Sequence, residues 1–269
     1  MGVASTRNQN SSTKLRVVVA QVPEQPHLAE IERIMRARRG SDLIVFPEGT
    51  LYVTDLAVVR TLKSWAQKYD TAIIIGIIHK DKRWLYDYTY YISGRLVERY
   101  QKTHVHWTET HIPGHEFKVI KTKKSKIGML MCYDAAFQET SRVLTLMGAD
   151  LIVIVSAIPI EFPSRFATLR ARSIAYSNQV FLVHCCLPGR NFSGRSAIID
   201  PHGDIVMELG KYTEVRGRTI DMDVVRKWRE QEMTFEYRRP SIYHLISSLE
   251  SPMSARLRSH KHRTWQLPR

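Results

Sequence analysis

Gly40-Ser41-Asp42-Leu43-Ile44-Val45, echoed with one change as Gly148-Ala149-Asp150-Leu151-Ile152-Val153, is the stretch on which the fold turns. Each copy follows a segment of helical periodicity and opens a continuous apolar run. Before the first copy, Leu28, Ile31 and Met35 recur at helical spacing with Ile34 beside them, and Gly40 supplies the helix stop. Leu43 to Phe46 is apolar without alternation, as expected of a strand buried on both faces. Before the second copy, the span from Phe137 to Met147 reads as a helix, itself preceded by a short apolar strand from Ile127 to Met131. Two similar helix-to-strand units imply one layered sheet arrangement of the α/β class.

Working outward, Leu15 to Ala20 is a short β-branched run. A second helix is expected from Asp55 to Tyr69, with Thr54 as N-cap and Leu56, Val59, Leu62, Ala66 and Tyr69 on its inner side. Strand Ala72 to Ile78 follows. Tyr88 to Ile92 and Leu96 to Tyr100 flank Ser93-Gly94, a two-residue loop of the kind that closes a β-hairpin, and the chain leaves that hairpin at Lys102.

The 269 residues are 43% hydrophobic, enough for one large core and little more, so a single domain is expected over 14–250. Before it stands a polar lead-in, 1–13, expected to be disordered, and after it a basic tail, 251–269. The longest apolar run, Ala72 to Ile78, is far shorter than the roughly 18 to 20 residues of a membrane-spanning helix, so no membrane partner is expected. The lead-in has no apolar segment like that of a secretory signal. Three cysteines, two of them adjacent at Cys185 and Cys186, make no disulfide framework, so reduced thiols in a cytoplasmic protein are expected. The net charge of +14 suggests nucleic acid until it is located: Arg7, Lys14, Arg16, Arg256, Arg258, Lys261, Arg263 and Arg269 account for eight of the fourteen. The body keeps an excess of +6, an ordinary surface value, and no nucleic-acid-binding signature accompanies it.

Three residues sit where α/β proteins place functional groups, at strand ends. Cys132 ends the run Ile127 to Met131 and precedes a helix. A thiol there, within reach of a cation, can have its pKa lowered enough to give thiolate at neutral pH; the bland alternative is a buried cysteine serving as a small hydrophobe. Glu48, in Val45-Phe46-Pro47-Glu48-Gly49, ends a buried strand, where a carboxylate needs a partner or a task. Lys102, in Tyr100-Gln101-Lys102-Thr103-His104, taken alone reads as a solvated surface charge.

Together the three resemble the catalytic triad of the nitrilase superfamily, the carbon–nitrogen hydrolases. An apolar strand followed by Pro-Glu is met by Leu43 to Glu48, and an aromatic, a spacer, lysine and a nearby histidine by Tyr100 to His104. Gly-x-x-x-Cys-Tyr-Asp is met by Gly128 to Asp134, with Phe137 and Glu139 beyond. The three stand in the family's order. Glu109 corresponds to the family's second glutamate, which orients lysine and substrate. Phe192-Ser193-Gly194-Arg195-Ser196 and Asp200-Pro201-His202-Gly203 resemble the segment before the late hairpin, and Arg238 to Tyr243 resembles the closing motif, so the likeness covers about Leu15 to Tyr243. Three positions depart from it: Gln138 stands in place of a proline, and Cys186 and Asp87 in place of asparagines.

The resemblance implies a four-layer α-β-β-α sandwich and a two-step hydrolysis of a nonpeptide C–N bond. Glu48 would be general base, Cys132 the nucleophile that forms a thioester, and Lys102 with the backbone N–H of Tyr133 would stabilise the oxyanion. No metal or organic cofactor is implied. An amidase acting on a small carboxamide is expected first, an N-carbamoyl amidohydrolase second and a nitrilase third. Tyr133 and Trp107 are candidate walls of a compact acyl site or, equally, core packing. The family pairs through helices beside the active site, which implies a homodimer or larger homo-oligomer. Two other classes compete: a metal-dependent hydrolase built on His104, His106, His111 and His115 with Glu109 as base, and a noncatalytic interaction protein on the same fold.

Overall fold

The two copies of Gly-x-Asp-Leu-Ile-Val do the same structural work. Gly40 and Gly148 take φ of +72° and +97° just beyond a helix, the left-handed conformation that ends helices and favours glycine. Asp42 donates its N–H to the Arg16 carbonyl at 3.0 Å and accepts the Arg16 N–H on its carboxylate at 2.8 Å. Asp150 repeats this with Lys126, at 3.0 and 2.7 Å. Each aspartate thus pins the start of its own strand to the start of the neighbouring one.

The computed structural model describes residues 13–249, so the expectations for the rest of the lead-in and for 251–269 lie outside the described residues. In chain order the elements are β1 (Lys14–Gln21), α1 (Leu28–Ala37), β2 (Leu43–Val45), β3 (Leu51–Val53), α2 (Val58–Lys68), β4 (Ala72–Asp81), β5 (Trp84–Ile92) and β6 (Val97–Gln101). Then come β7 (Val119–Lys121), β8 (Lys126–Met131), α3 (Gln138–Leu146), β9 (Leu151–Ser156), α4 (Ser164–Asn178) and β10 (Phe181–Cys186). The series closes with β11 (Ala197–Ile199), β12 (Ile205–Glu208), β13 (Glu214–Asp221), α5 (Asp223–Glu232) and α6 (Pro240–Ser248). The chain falls into two units, one through Trp228 and one from Arg229, the second holding the end of α5 and α6.

Two mixed sheets form the first unit. One has the order β13-β1-β2-β4-β5-β6, with β3 against β4; the other runs β12-β11-β10-β9-β8-β7. Strand alternation sends Val17, Val19, Leu43, Val45 and Ile74 inward, to meet Met129, Met131, Leu151, Val153 and Val155 of the second sheet. The opposite faces, Val18, Ala20, Ile44, Ile73 and Ile75, are covered by Ile31, Ile34, Met35, Leu62 and Ala66 of α1 and α2. On the far side, Leu130, Ile152, Ile154 and Leu182 are covered by Leu144, Ala171, Ile174 and Ala175 of α3 and α4. This is the four-layer α-β-β-α arrangement, and each of these buried Val, Leu, Ile and Met side chains contributes about 1.5–3 kcal/mol by leaving water.

Three local expectations are corrected. α2 begins at Val58 rather than Asp55; Asp55 accepts the Ala57 N–H in a turn, and Thr54 does not cap the helix. The hairpin turn spans Ser93 to Leu96, closed by Ser93 N–H to the Leu96 carbonyl at 2.8 Å, so its central residues are Gly94 and Arg95. Finally, β4 and β5 continue past Ile78 to a tight turn at Lys82-Arg83, where Lys82 adopts φ +53° without the glycine that would mark it.

Candidate active site

Four strand ends converge at one edge of the paired sheets. Glu48 follows β2, and its approach depends on Gly76 in β4. A Cβ at 76 would lie 2.5 Å from Glu48 Cα and 2.6 Å from the Pro47 carbonyl oxygen, which instead accepts the Gly76 N–H at 3.0 Å. The Thr50 hydroxyl also donates to that carbonyl, at 2.7 Å. Glu48 reaches the second sheet, where the N–H of Ala157, the residue after β9, donates to Oε2 at 2.7 Å.

Lys102 leaves β6 with its backbone held on both sides: its N–H donates to the Asp87 carbonyl at 3.0 Å, and its carbonyl accepts the Gly114 N–H at 2.8 Å. Its ammonium is fully buried. Nζ donates to Glu48 Oε1 at 2.9 Å and to both Glu109 oxygens, at 2.9 and 2.8 Å, while Asp87 Oδ2 stands at 3.7 Å. Burial disfavours the charged ammonium, but the surrounding carboxylates of Glu48, Asp87 and Glu109 outweigh it and hold the proton firmly. A buried cation so placed is tolerable only because its partners are; deleting one partner from such a pair costs about 3–5 kcal/mol. Burial also raises the Glu48 carboxyl above the ordinary carboxylate range, with Lys102 pulling the other way.

Cys132 begins a 3₁₀ turn, Cys132–Ala136, directly after β8. Its φ is +44°, a conformation that costs a non-glycine residue about 1–3 kcal/mol and is retained where the surroundings enforce it. The enforcement comes from Asp134. One carboxylate oxygen accepts from Tyr100 Oη at 2.7 Å and the Met131 N–H at 3.0 Å; the other accepts from Thr103 Oγ1 at 2.9 Å and the His104 N–H at 2.8 Å. The cysteine turn and the lysine loop are therefore tied to the same buried side chain. The expected low thiol pKa is corrected: burial, reinforced by Glu48, raises the Cys132 thiol, with Lys102 and the Ala157 N–H only partly opposing this. The group is held as a thiol beside a carboxyl whose own proton affinity burial has raised.

The candidate walls are at the periphery. Tyr133 packs edge-on to His106 and to Phe137, with ring centroids at 4.8 and 5.3 Å, and Trp107 is half exposed beside His106 at 5.1 Å. Neither is a core residue. Gln138 opens α3 at the position a proline would fill, where no helical N–H bond is at stake. Cys186 is buried at the end of β10, with Sγ 3.1 Å from His184 Nε2.

The four histidines named as metal ligands do not converge. His104 Nδ1 faces Asp134, His106 Nδ1 pairs with Thr108 Oγ1 at 2.7 Å, His111 Nδ1 faces Asp87 at 2.5 Å, and His115 is exposed. Among the described residues a different trio, Asp87, Glu109 and His111, brings three ligand atoms within 4.8 Å of one another. Its carboxylates already face the Lys102 ammonium, which takes the place a cation would hold.

Sequence reasoning missed the role of Asp87 and His111 beside Lys102, the Asp134 clamp, and Arg170 on α4. The Arg170 guanidinium is half buried near Cys132 and Tyr133, and burial lowers its pKa. A signal for Asp87 existed in its departure from the resembling family, but Arg170 carried none.

Comparison with known proteins bears on the whole of this framework. A family model described as carbon-nitrogen hydrolase matches residues 17–230. The chain is 28% identical over 251 residues to the omega-amidase NIT3 of Saccharomyces cerevisiae, covering 79% of this chain and 86% of that one. It is likewise 28% identical over 234 residues to the 2-oxoglutaramate amidase of Bacillus subtilis, covering 78% and 90%. Among solved structures, a carbon-nitrogen hydrolase from Helicobacter pylori superposes with a TM-score of 0.78 at 18% identity, over 87% of this chain and 98% of that one, a likeness of fold. The chain is a hydrolase and belongs to the carbon-nitrogen hydrolase family.

Proposed function

We propose that the protein is an amidase that releases ammonia from a small carboxamide through a thioester on Cys132. The observation that carries this is the buried Lys102 ammonium, hydrogen-bonded to Glu48 and Glu109 at 2.8–2.9 Å, at the sheet edge where the end of β8 presents Cys132. Glu48 takes the thiol proton as sulfur attacks the carbonyl carbon. Lys102 and the Tyr133 N–H receive the developing oxyanion, for which one well-placed donor is worth about 3–4 kcal/mol. Glu48 passes its proton to the amide nitrogen, the C–N bond breaks and ammonia leaves. Water, giving a proton to Glu48, then hydrolyses the thioester to the carboxylic acid and returns the thiol. Glu109 holds Lys102 in position.

Relatives described as amidases support amide over carbamoyl and nitrile substrates. Tyr133 and Trp107 bound the acyl group, and Arg170 favours an acyl chain ending in an anionic group. The exposed apolar side chains of α3 and α4, among them Leu146 and Leu169, suit a homodimer. No helix of the described residues is long and apolar enough to cross a membrane; a cytoplasmic location is the matching expectation.

An ammonia-release screen over carboxamides, ureido compounds and nitriles, run beside Cys132→Ala, tests this reading. Carboxamides should be the preferred class, iodoacetamide should abolish turnover and a chelator should leave it intact. Turnover surviving in Cys132→Ala would overturn the mechanism.

A further inference from the structure

An ammonium has three N–H groups. At Lys102 one is used by Glu48 Oε1 and one by the Glu109 carboxylate, which leaves a third. Asp87 Oδ2, at 3.7 Å, is too far for a hydrogen bond but near enough to attract it. Asp87 is almost wholly buried, its Oδ1 has no hydrogen-bond partner, and its Oδ2 meets His111 Nδ1 at 2.5 Å. The nitrogen must be the donor, since the carboxylate has no proton to give. The contact therefore persists whether His111 is neutral or cationic, and what changes with protonation is only its charge.

We propose that Asp87 and His111 are positioning residues for Lys102: cationic His111 neutralises Asp87 and leaves the third Lys102 N–H for the substrate oxyanion, whereas neutral His111 lets Asp87 draw that N–H away. The charged groups facing His111 are Asp87 on β5, Lys102 after β6 and Glu109 in its own loop; Asp87 also acts on Glu48. The hydrogen bond to Asp87 raises the His111 pKa above its ordinary value and burial opposes it, so the ring keeps its proton to higher pH than a free imidazole and loses it as pH rises further. The rate of the chemical step falls along the same limb.

This inference rests on Lys102 as oxyanion donor in the proposed amidase. The test is kcat and KM against pH for wild type, His111→Gln, Asp87→Asn and the double variant, with ammonia release as readout. His111→Gln should lower kcat at pH 7 by roughly tenfold or more, short of the ~10²–10³ for losing an oxyanion donor outright, with KM little changed. Asp87→Asn should remove the alkaline limb, and adding Asp87→Asn to His111→Gln should restore kcat to within a few-fold of wild type, which a merely structural role would not do. A double variant no faster than His111→Gln, or an alkaline limb unchanged in Asp87→Asn, overturns the proposal. Should wild type release no ammonia from any carboxamide, the amidase reading fails on its own. The pair is then judged by alkylation of Cys132 with iodoacetamide at pH 7: slower in His111→Gln and recovered in the double variant if the inference holds, equal in all three if it does not.

Discussion

Gly76→Ala changes one hydrogen for a methyl in the middle of an apolar strand, and the structure assigns it an effect on catalysis as well as on stability. The new Cβ would stand 2.5 Å from Glu48 Cα. Carbon atoms settle at about 3.5–4 Å, so the Pro47-Glu48 segment must retreat by about 1 Å. Both near atoms are backbone, which cannot swing aside as a side-chain tip would. The 3.0 Å bond from the Gly76 N–H to the Pro47 carbonyl stretches with that retreat, and Glu48 moves away from Cys132 and from Lys102. A misplacement of ~1 Å costs about 10²-fold in rate, equivalent to about 2.7 kcal/mol of barrier. Overpacking a tight core site costs about 1–3 kcal/mol of stability, so Tm should fall by roughly 2–12 °C, given about 2–4 °C per kcal/mol for a domain of this size. The assay is ammonia release under saturating carboxamide, with thermal unfolding and circular dichroism on the same preparations. A folded Gly76→Ala protein with kcat within twofold of wild type would refute the argument that this glycine sets the position of the base.

Three further outcomes follow from the same structure. Asp134→Ala strands buried donors from Tyr100, Thr103, Met131 and His104; at about 1.5–3 kcal/mol for each hydrogen bond to a charged group, urea unfolding should show a loss of several kcal/mol, with the cysteine turn released. Buried His184 stays neutral down to about pH 4 against an ordinary 6.5; the unfolded chain therefore binds the extra proton between those values, and stability falls as pH drops from 6.5 to 4. The difference amounts to about 3 kcal/mol and should vanish in His184→Gln, measured by denaturant titration at each pH. Arg170→Met should lower kcat/KM for carboxamides with a terminal carboxylate at least tenfold, about 1.4 kcal/mol, while sparing neutral ones; equal losses for both would show that Arg170 does not read that charge.

How much of this could be read from the chain depends on the range of the interaction. In the Gly-x-Asp-Leu-Ile-Val echo, the pinning of each aspartate to Arg16 or Lys126 on a neighbouring strand was not legible, because it joins residues far apart in sequence. The echo itself was legible because a helix stop and a buried apolar run are local. Strand ends were legible for the same reason, which placed Glu48, Lys102 and Cys132 at one edge without saying how far apart. The 2.9 Å between Lys102 and Glu48 joins residues 54 apart in sequence, and only the resemblance of the motifs brought them together beforehand. Gly76 drew no notice in a strand of isoleucines, because its purpose is to admit a neighbouring backbone. The positive φ of Cys132 and the high proton affinity of its thiol depend on burial by both sheets, which no spacing encodes. The histidine-rich loop misled for a related reason: four histidines within twelve residues are close in sequence, yet three turn to different partners and the fourth, His115, is exposed, and the one beside Lys102 faces Asp87 on another strand.

The central claim is that the acyl group passes through Cys132. Acid-quenched mass spectrometry of the enzyme during turnover of a small carboxamide tests it most directly. The account predicts a labile adduct of the acyl mass on the peptide carrying Cys132, absent from Cys132→Ala and from the peptide carrying Cys185 and Cys186. Steady-state ammonia release with the acyl group on any other residue, or with turnover intact in Cys132→Ala and no adduct at all, would contradict it.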